Sequence, residues 1–191
     1  MGGPARIGNQ RLASTDNFLV QPMPIDGVLV QPATGEHFPT QLSWKSVEHF
    51  FQAAKFDAVV GGMSVWEHCR EIQSVDDPLE AWSLGQSRDH PLRADWEDIK
   101  AHAMYLGVVA KYKICPEYAK VLAETYEPIV ASPSTSNWQI LNRLVLERVR
   151  YELRQHFGLP PLVPSSLYEE WCSATDLPHG AAPIVVRVAT I

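Results

Sequence analysis

Glu48, Gln52 and Lys55 stand at i, i+4 and i+7 within the run Trp44-Lys-Ser-Val-Glu-His-Phe-Phe-Gln-Ala-Ala-Lys-Phe56. On a helix that spacing sets them along one stripe. The apolar Val47, Phe50, Phe51 and Ala54 recur at three and four and form a second stripe. At about 100° per residue the two stripes lie about a quarter-turn apart. A carboxylate, an amide and an ammonium therefore run along the border of the core, where a cleft would form. Such a carboxylate suits proton transfer or the stabilisation of a developing cation. The same spacing also fits an ordinary solvated helix face.

Aromatic residues with polar neighbours recur in predicted loops: Asp16-Asn17-Phe18, Trp44 and Asn137-Trp138. Each could stack on a flat heterocycle or simply pack. Arg88, Arg93 and Arg143 offer an anion clamp. Asn142-Arg143-Leu144 is expected to open the last core helix directly after the Trp138 loop, and backbone donors at a helix start suit a phosphate.

The elements that must position these groups are readable in part. Residues 1–15, rich in Gly, Ser, Asn and Gln, read as a loose arm. Between Asn17 and Trp44, short apolar pieces are broken by Pro22, Pro24, Pro32 and Pro39, which predicts short strands and loops. From Ser46 the pattern is helical. Asp77-Pro78-Leu-Glu80 combines a capping carboxylate with proline at the first helical position. Asp95-Trp-Glu-Asp98 opens a long helix to about Ile114, and Pro116 starts another toward Tyr126. After the polar loop Ser132–Asn137, a helix is expected from Gln139 to Phe157, with Gly158 as its stop. The prolines of 159–164 make a stiff connector to a short helix near Ser166–Cys172 and a strand-like Ile184–Ile191.

The chain has 191 residues, 46% hydrophobic and 20% charged, which suits one compact domain of 16–157 with an extension at 158–191. That extension is expected to pack on the domain or on a second subunit, giving a possible homodimer contact. With 22 acidic against 16 basic side chains the net charge is -6, which argues against a broad nucleic-acid face while leaving room for a local phosphate pocket. Cys69, Cys115 and Cys172 are widely spaced and read as free thiols in a reducing compartment. No apolar run of about 18 residues could span a membrane, and the N-terminus lacks a secretory core, so the cytoplasm is expected. The histidines and Glu67 lack HExxH or paired Cys/His spacing, so no metal site is read, and His49 is expected to touch a neighbouring loop.

Glu48-His-Phe-Phe-Gln-Ala-Ala-Lys-Phe56 resembles the signature of the NADAR, or YbiA-like, family. Co-linear blocks extend the resemblance: Asp16-Asn-Phe18, Pro24-Ile-Asp-Gly27, Pro91–Lys100, Val130-Ala-Ser-Pro133 with Trp138, and Asn142-Arg-Leu144. Together they cover about residues 15–157. The resemblance implies a mostly helical α+β domain with a few short strands, and an enzyme that cleaves an N-glycosidic bond without metal or organic cofactor. Its implied substrate is a phosphorylated ribosylamine, the ribosylaminopyrimidine phosphate of early riboflavin synthesis. The implied setting includes secondary-metabolite routes to toxoflavin-like pyrimidotriazine toxins. ADP-ribosyl or NAD-type glycohydrolysis and a nucleotide-binding module without turnover are the alternatives.

Glu48 is the implied catalytic residue, with Asn17, Phe18, Trp44, Gln52, Lys55, Arg93, Trp96, Trp138, Asn142 and Arg143 implied as substrate-binding. If Ser46 caps the helix, Glu48 lies near its second position. The positive helix end and Lys55 are then expected to keep its pKa low, as suits an ionised stabiliser or base. Two departures from the family pattern stand out. Thr135 occupies the place of a usual Asp, for which Asn137 or Glu147 could substitute, and the stretch of about 28–42 is longer. Both point to altered activity or substrate choice.

Overall fold

The computed structural model describes residues 3–20, 23–30, 37–176 and 178. The strand-like run Ile184–Ile191 lies outside the described residues.

Arg6–Ile7 (β1) pairs antiparallel with Gln10–Arg11 (β2) on one side and with Ile129–Val130 (β5) on the other. Residues 3–15 are thus part of the fold rather than a loose arm. Ala5 and Ile7 are buried, the Ala5 N–H donates to Thr15 Oγ1 at 2.6 Å, and the Ser132 hydroxyl donates to the Pro4 carbonyl. Two-residue strands are too short to leave an alternating signature, so the arm reading had only composition to go on.

Met23–Val30 (β3) and His37–Trp44 (β4) form an antiparallel ribbon from Met23 opposite Trp44 to Val30 opposite His37. The strands are longer than the prolines predicted. In a two-stranded ribbon every second N–H points outward, and a proline there breaks no ladder bond.

Helix α1 (Val47–Ala53) begins at Ser46, whose side chain accepts from the His49 N–H, as the capping pattern predicted. The remaining helices are α2 (Ala58–Ser74), interrupted at Gly62 with φ +70°, α3 (Pro78–Leu84), α4 (Trp96–Ile114), α5 (Pro116–Glu124), α6 (Ser136–His156) and α7 (Ser165–Thr175). Asp77 caps α3 by accepting from Leu79 N at 2.9 Å. Gly158, at φ +67°, ends α6 while its N–H and that of Leu159 satisfy the last carbonyls. The result is the expected mostly helical α+β class.

Every residue of α1 is buried, because the helix lies between α2, α3 and α4. Gly107 of α4 permits the closest approach, since a Cβ there would sit 3.0 Å from Val47 and 3.1 Å from Phe50. Within the extension, residues 165–176 pack on α6 of the same domain. Arg148 of α6 donates to Thr175 Oγ1 and Asp176, Tyr168 donates to Glu152, and the Tyr151 and Tyr168 rings stack at 4.3 Å. Cys69, Cys115 and Cys172 are free thiols. Among the described residues no helix is long and apolar enough to cross a membrane.

Lys111 of α4 is buried at 1% exposure and donates to the Asp16 carbonyl at 3.2 Å, while Tyr112 donates to the Ser14 carbonyl. These bonds fasten the 14–17 loop to α4, and the Asn17 carbonyl in turn accepts from the Glu48 N–H at 3.1 Å. Burial pushes the Lys111 ammonium down to about 7. The folded state therefore releases this proton before the unfolded chain does, so the cost of burying the charge is fully present below pH 7 and is relieved as pH rises. Between pH 7 and 9 the wild-type chain should gain about 2 kcal/mol of stability that Lys111→Met does not gain. Urea unfolding at the two pH values measures this, and equal gains in both chains would contradict it.

Candidate active site

Five parts of the chain converge on a cavity of about 360 Å³. Its floor is α1 and the turn that ends it, which contribute Glu48, Phe51 and Gln52 from the helix and Lys55 from the turn. Trp82, Gln86, Arg88 and Leu92 border it from the end of α3 and the following connection. Trp96, Glu97 and Met104 come from α4. Ser134, Thr135, Trp138 and Asn142 come from the loop before α6 and its first two turns, and Asn17 closes one side. The polar stripe of α1 is therefore a cavity floor, and the solvated-face reading does not apply.

Aromatic rings make one wall. Phe51 meets Trp138 edge-on at 4.8 Å and Trp96 at 5.1 Å. This packing holds Trp138 upright beside the polar floor, with Lys100 Nζ 5.8 Å from its ring centre. Asn17 is buried, with its side-chain nitrogen 3.3 Å from Met104 Sδ.

Glu48 is only 4% exposed and accepts from Gln52 Nε2 at 2.6 Å. Lys55 donates to the Gly85 carbonyl at 3.0 Å and lies 5.9 Å from the Phe51 ring centre. Burial raises the Glu48 carboxyl above its ordinary range, against the opposing pull of the Gln52 bond and the Lys55 charge. This corrects the expectation of a low pKa. The flanking Lys55 cation and the Gln52 bond do act on Glu48 in the expected direction, but removal from water is the larger effect. Burial likewise lowers the Lys55 ammonium to about 8, with Glu48 supporting its charge and Arg88 opposing it.

Asn17, Gln52, Lys55, Trp96, Trp138 and Asn142 share the cavity with Glu48. The other residues of the sequence-derived set lie elsewhere. Trp44, at 1% exposure, packs edge-on against Phe50 in the core and has no free face for stacking. Phe18 borders a separate shallow hollow with Asp16 and Pro78. Arg93 is buried and bound to both carboxylate oxygens of Asp95, at 2.6 and 3.0 Å. Arg143 is exposed outside the cavity lining.

Helix α6 starts at Ser136, earlier than predicted, so Trp138 belongs to its first turn. The Asn142 and Arg143 amides are consumed inside the helix and do not form an anion-binding start. Of the three arginines in the expected clamp, Arg88 alone lines the cavity. His49 turns away, with Nδ1 2.7 Å from the Ser46 hydroxyl and Nε2 donating to the Val75 carbonyl at 3.1 Å, in the neighbouring loop.

Sequence reading missed Trp82, Gln86, Leu92, Glu97 and Met104. The available signal was Gly85, directly after the α3 pattern ends: a Cβ there would fall 2.1 Å from Gln52 Oε1, so the turn lies against the floor. Thr135 does border the cavity. Asn137 does not, and Glu147 is occupied by Arg150 and the Ile129 N–H.

Fold and cavity together define a small α+β domain organised around a buried carboxylate. The chain belongs to the NADAR domain family, whose model matches residues 14–154. It is similar to the N-glycosidase YbiA of Escherichia coli (strain K12), 29% identical over 109 residues that cover 57% of this chain and 55% of that protein. The N-glycosidase Npun_R5314 of Nostoc punctiforme is 31% identical over 130 residues, 61% of this chain and 78% of the relative. The chloroplastic riboflavin biosynthesis protein PYRR of Zea mays is 30% identical over 110 residues, 54% of this chain and 17% of the relative. The chain spans about half the length of the YbiA relatives it matches. The NMR structure of Escherichia coli YbiA matches with a TM-score of 0.52 over 76% of this chain and 80% of that one, at 21% identity, a likeness of fold.

Proposed function

We propose that the chain is an N-glycosidase that hydrolyses the bond between ribose 5-phosphate and an aminopyrimidine, in the cytoplasm. The observation that carries this reading is a buried Glu48 flanked by Gln52 and Lys55 on the floor of a cavity walled by Trp96 and Trp138. A flat base fits against the aromatic wall. Arg88 at the border supplies a cation for one phosphate. A volume of about 360 Å³ is at the small end for ligand pockets, room for one base, one ribose and one phosphate rather than for a dinucleotide.

Breaking a ribosyl C–N bond leaves positive charge on the ribose ring. An ionised Glu48 stabilises that charge more strongly in a dry cavity than it would in water. As the C–N bond breaks, water bonds to the ribose carbon and gives a proton to Glu48, and Glu48 passes that proton to the departing nitrogen, so the water is divided between the two products. Burial makes Glu48 a better base than a solvated glutamate, while the Lys55 charge opposes that rise and favours the ionised form. The products are ribose 5-phosphate and an aminopyrimidine. Such a reaction would drain riboflavin intermediates or serve a route that diverts them, such as one to a pyrimidotriazine toxin.

The test is incubation of the purified chain with freshly made ribosylaminopyrimidine phosphate, and separately with NAD and with ADP-ribosylated guanine. Release of ribose 5-phosphate in the first arm alone is expected. Release of ADP-ribose in its place would select the glycohydrolase reading, and saturable binding without turnover in any arm would reduce the chain to a binding module.

A further inference from the structure

The connection after α3 touches both partners of Glu48. The Gly85 carbonyl accepts from Lys55 Nζ at 3.0 Å, and the Gln86 side-chain amide donates to Gln52 Oε1 at 3.3 Å. The same Gln86 nitrogen lies 3.4 Å from the Trp82 carbonyl, which anchors it to the last turn of α3. Gly85 has no side chain to displace Gln52, and any Cβ there would collide with the Gln52 amide oxygen and its carbons. We propose that Gln86 is a positioning residue: by donating to Gln52 Oε1 it fixes that amide with its NH2 toward Glu48.

An amide group has two orientations of nearly equal shape and opposite polarity. With NH2 toward Glu48 it donates to a carboxylate and favours the ionised form. Turned over, it presents an oxygen that only a protonated Glu48 can meet. Gln52 is 2% exposed, so the choice between them falls to the atom facing the other end of the amide. Here that atom is the Gln86 nitrogen, a donor, which requires an oxygen opposite it. The sequence therefore sets the protonation preference of Glu48 from a residue two hydrogen bonds away, on a different element.

The charged groups around Glu48 are Lys55 in the turn after α1, Asp16 in the N-terminal loop, Arg88 beyond Gln86 and Glu97 on α4. None of them distinguishes the two ends of the Gln52 amide as Gln86 does. The role in catalysis rests on the N-glycosidase reading, but the effect on Glu48 does not.

The test is the carboxyl 13C NMR titration of Glu48, its resonance assigned by its loss in Glu48→Gln, for the wild-type chain and two variants. Gln86→Leu removes the donor at similar size, and the isosteric Gln86→Glu replaces it with an acceptor. Both should titrate Glu48 at higher pH, by about half a unit or more, and the acid limb of kcat should move by the same amount, about a threefold loss at pH values below that limb, with KM within twofold. Thermal unfolding should match the wild type. An unmoved Glu48 titration in either folded variant would overturn the proposal. Because the titration needs no turnover, a failure to find any substrate leaves this result intact and counts only against the N-glycosidase reading.

Discussion

Glu48→Gln is expected to lower kcat on the ribosylaminopyrimidine phosphate by about 10³-fold or more while KM changes little. Glutamine keeps the size of the side chain and its place beside Gln52, so the cavity keeps its shape. What disappears is the negative charge that meets the ribosyl cation and the base that takes a proton from water. The loss belongs to the transition state rather than to ground-state binding, and it therefore falls on kcat. Folding should not suffer, because burying a neutral amide costs less than burying a carboxylate. Steady-state kinetics beside a thermal melt checks both parts. A variant that is stable and retains more than a tenth of wild-type kcat would remove Glu48 from the reaction.

Lys55→Met is expected to lower kcat/KM by about 10²-fold and to change the shape of the pH profile. Activity requires Glu48 ionised and Lys55 protonated. In the wild-type chain the acid limb should therefore lie above the ordinary glutamate range, since burial raises the Glu48 pKa. The alkaline limb should lie near 8, where the buried Lys55 loses its proton. Methionine removes the cation that opposes the rise, so the Glu48 pKa climbs further and the acid limb moves to higher pH. The alkaline limb near 8 should vanish with the group that causes it. If it persists in Lys55→Met, another group sets it and Lys55 is only a structural contact.

Two of the corrections to the sequence reading, the Glu48 pKa and the anion clamp, both turn on what surrounds a charged group in the folded chain. The Glu48 pKa was expected to be low because its immediate neighbours, a helix start and a lysine, both favour the charged form. The lysine acts as expected and is outweighed by burial, which depends on α2, α3 and α4 closing around α1. The anion clamp failed in the same way. Arg93 is a few residues from the cavity wall at Trp96, yet Asp95 takes its guanidinium on both oxygens. Neither competition leaves a mark at the level of spacing.

What the sequence by itself determined is local and periodic. The Ser46 cap, the Asp77-Pro78 and Trp96 helix starts, the Gly158 stop and the alignment of Glu48, Gln52 and Lys55 on one stripe all depend on residues within a few positions of each other. Tertiary structure alone decided which neighbours each polar group keeps. It turned the stripe into a cavity floor, drew Ala5 and Ile7 into the core through two-residue strands, and sent Trp44 inward and Arg143 outward. It also set the Gly85-Gln86 turn against Gln52 and Lys55, thirty or more residues away in the chain. Periodicity fixes the face on which a side chain lies; desolvation and competition for hydrogen bonds depend on what covers that face.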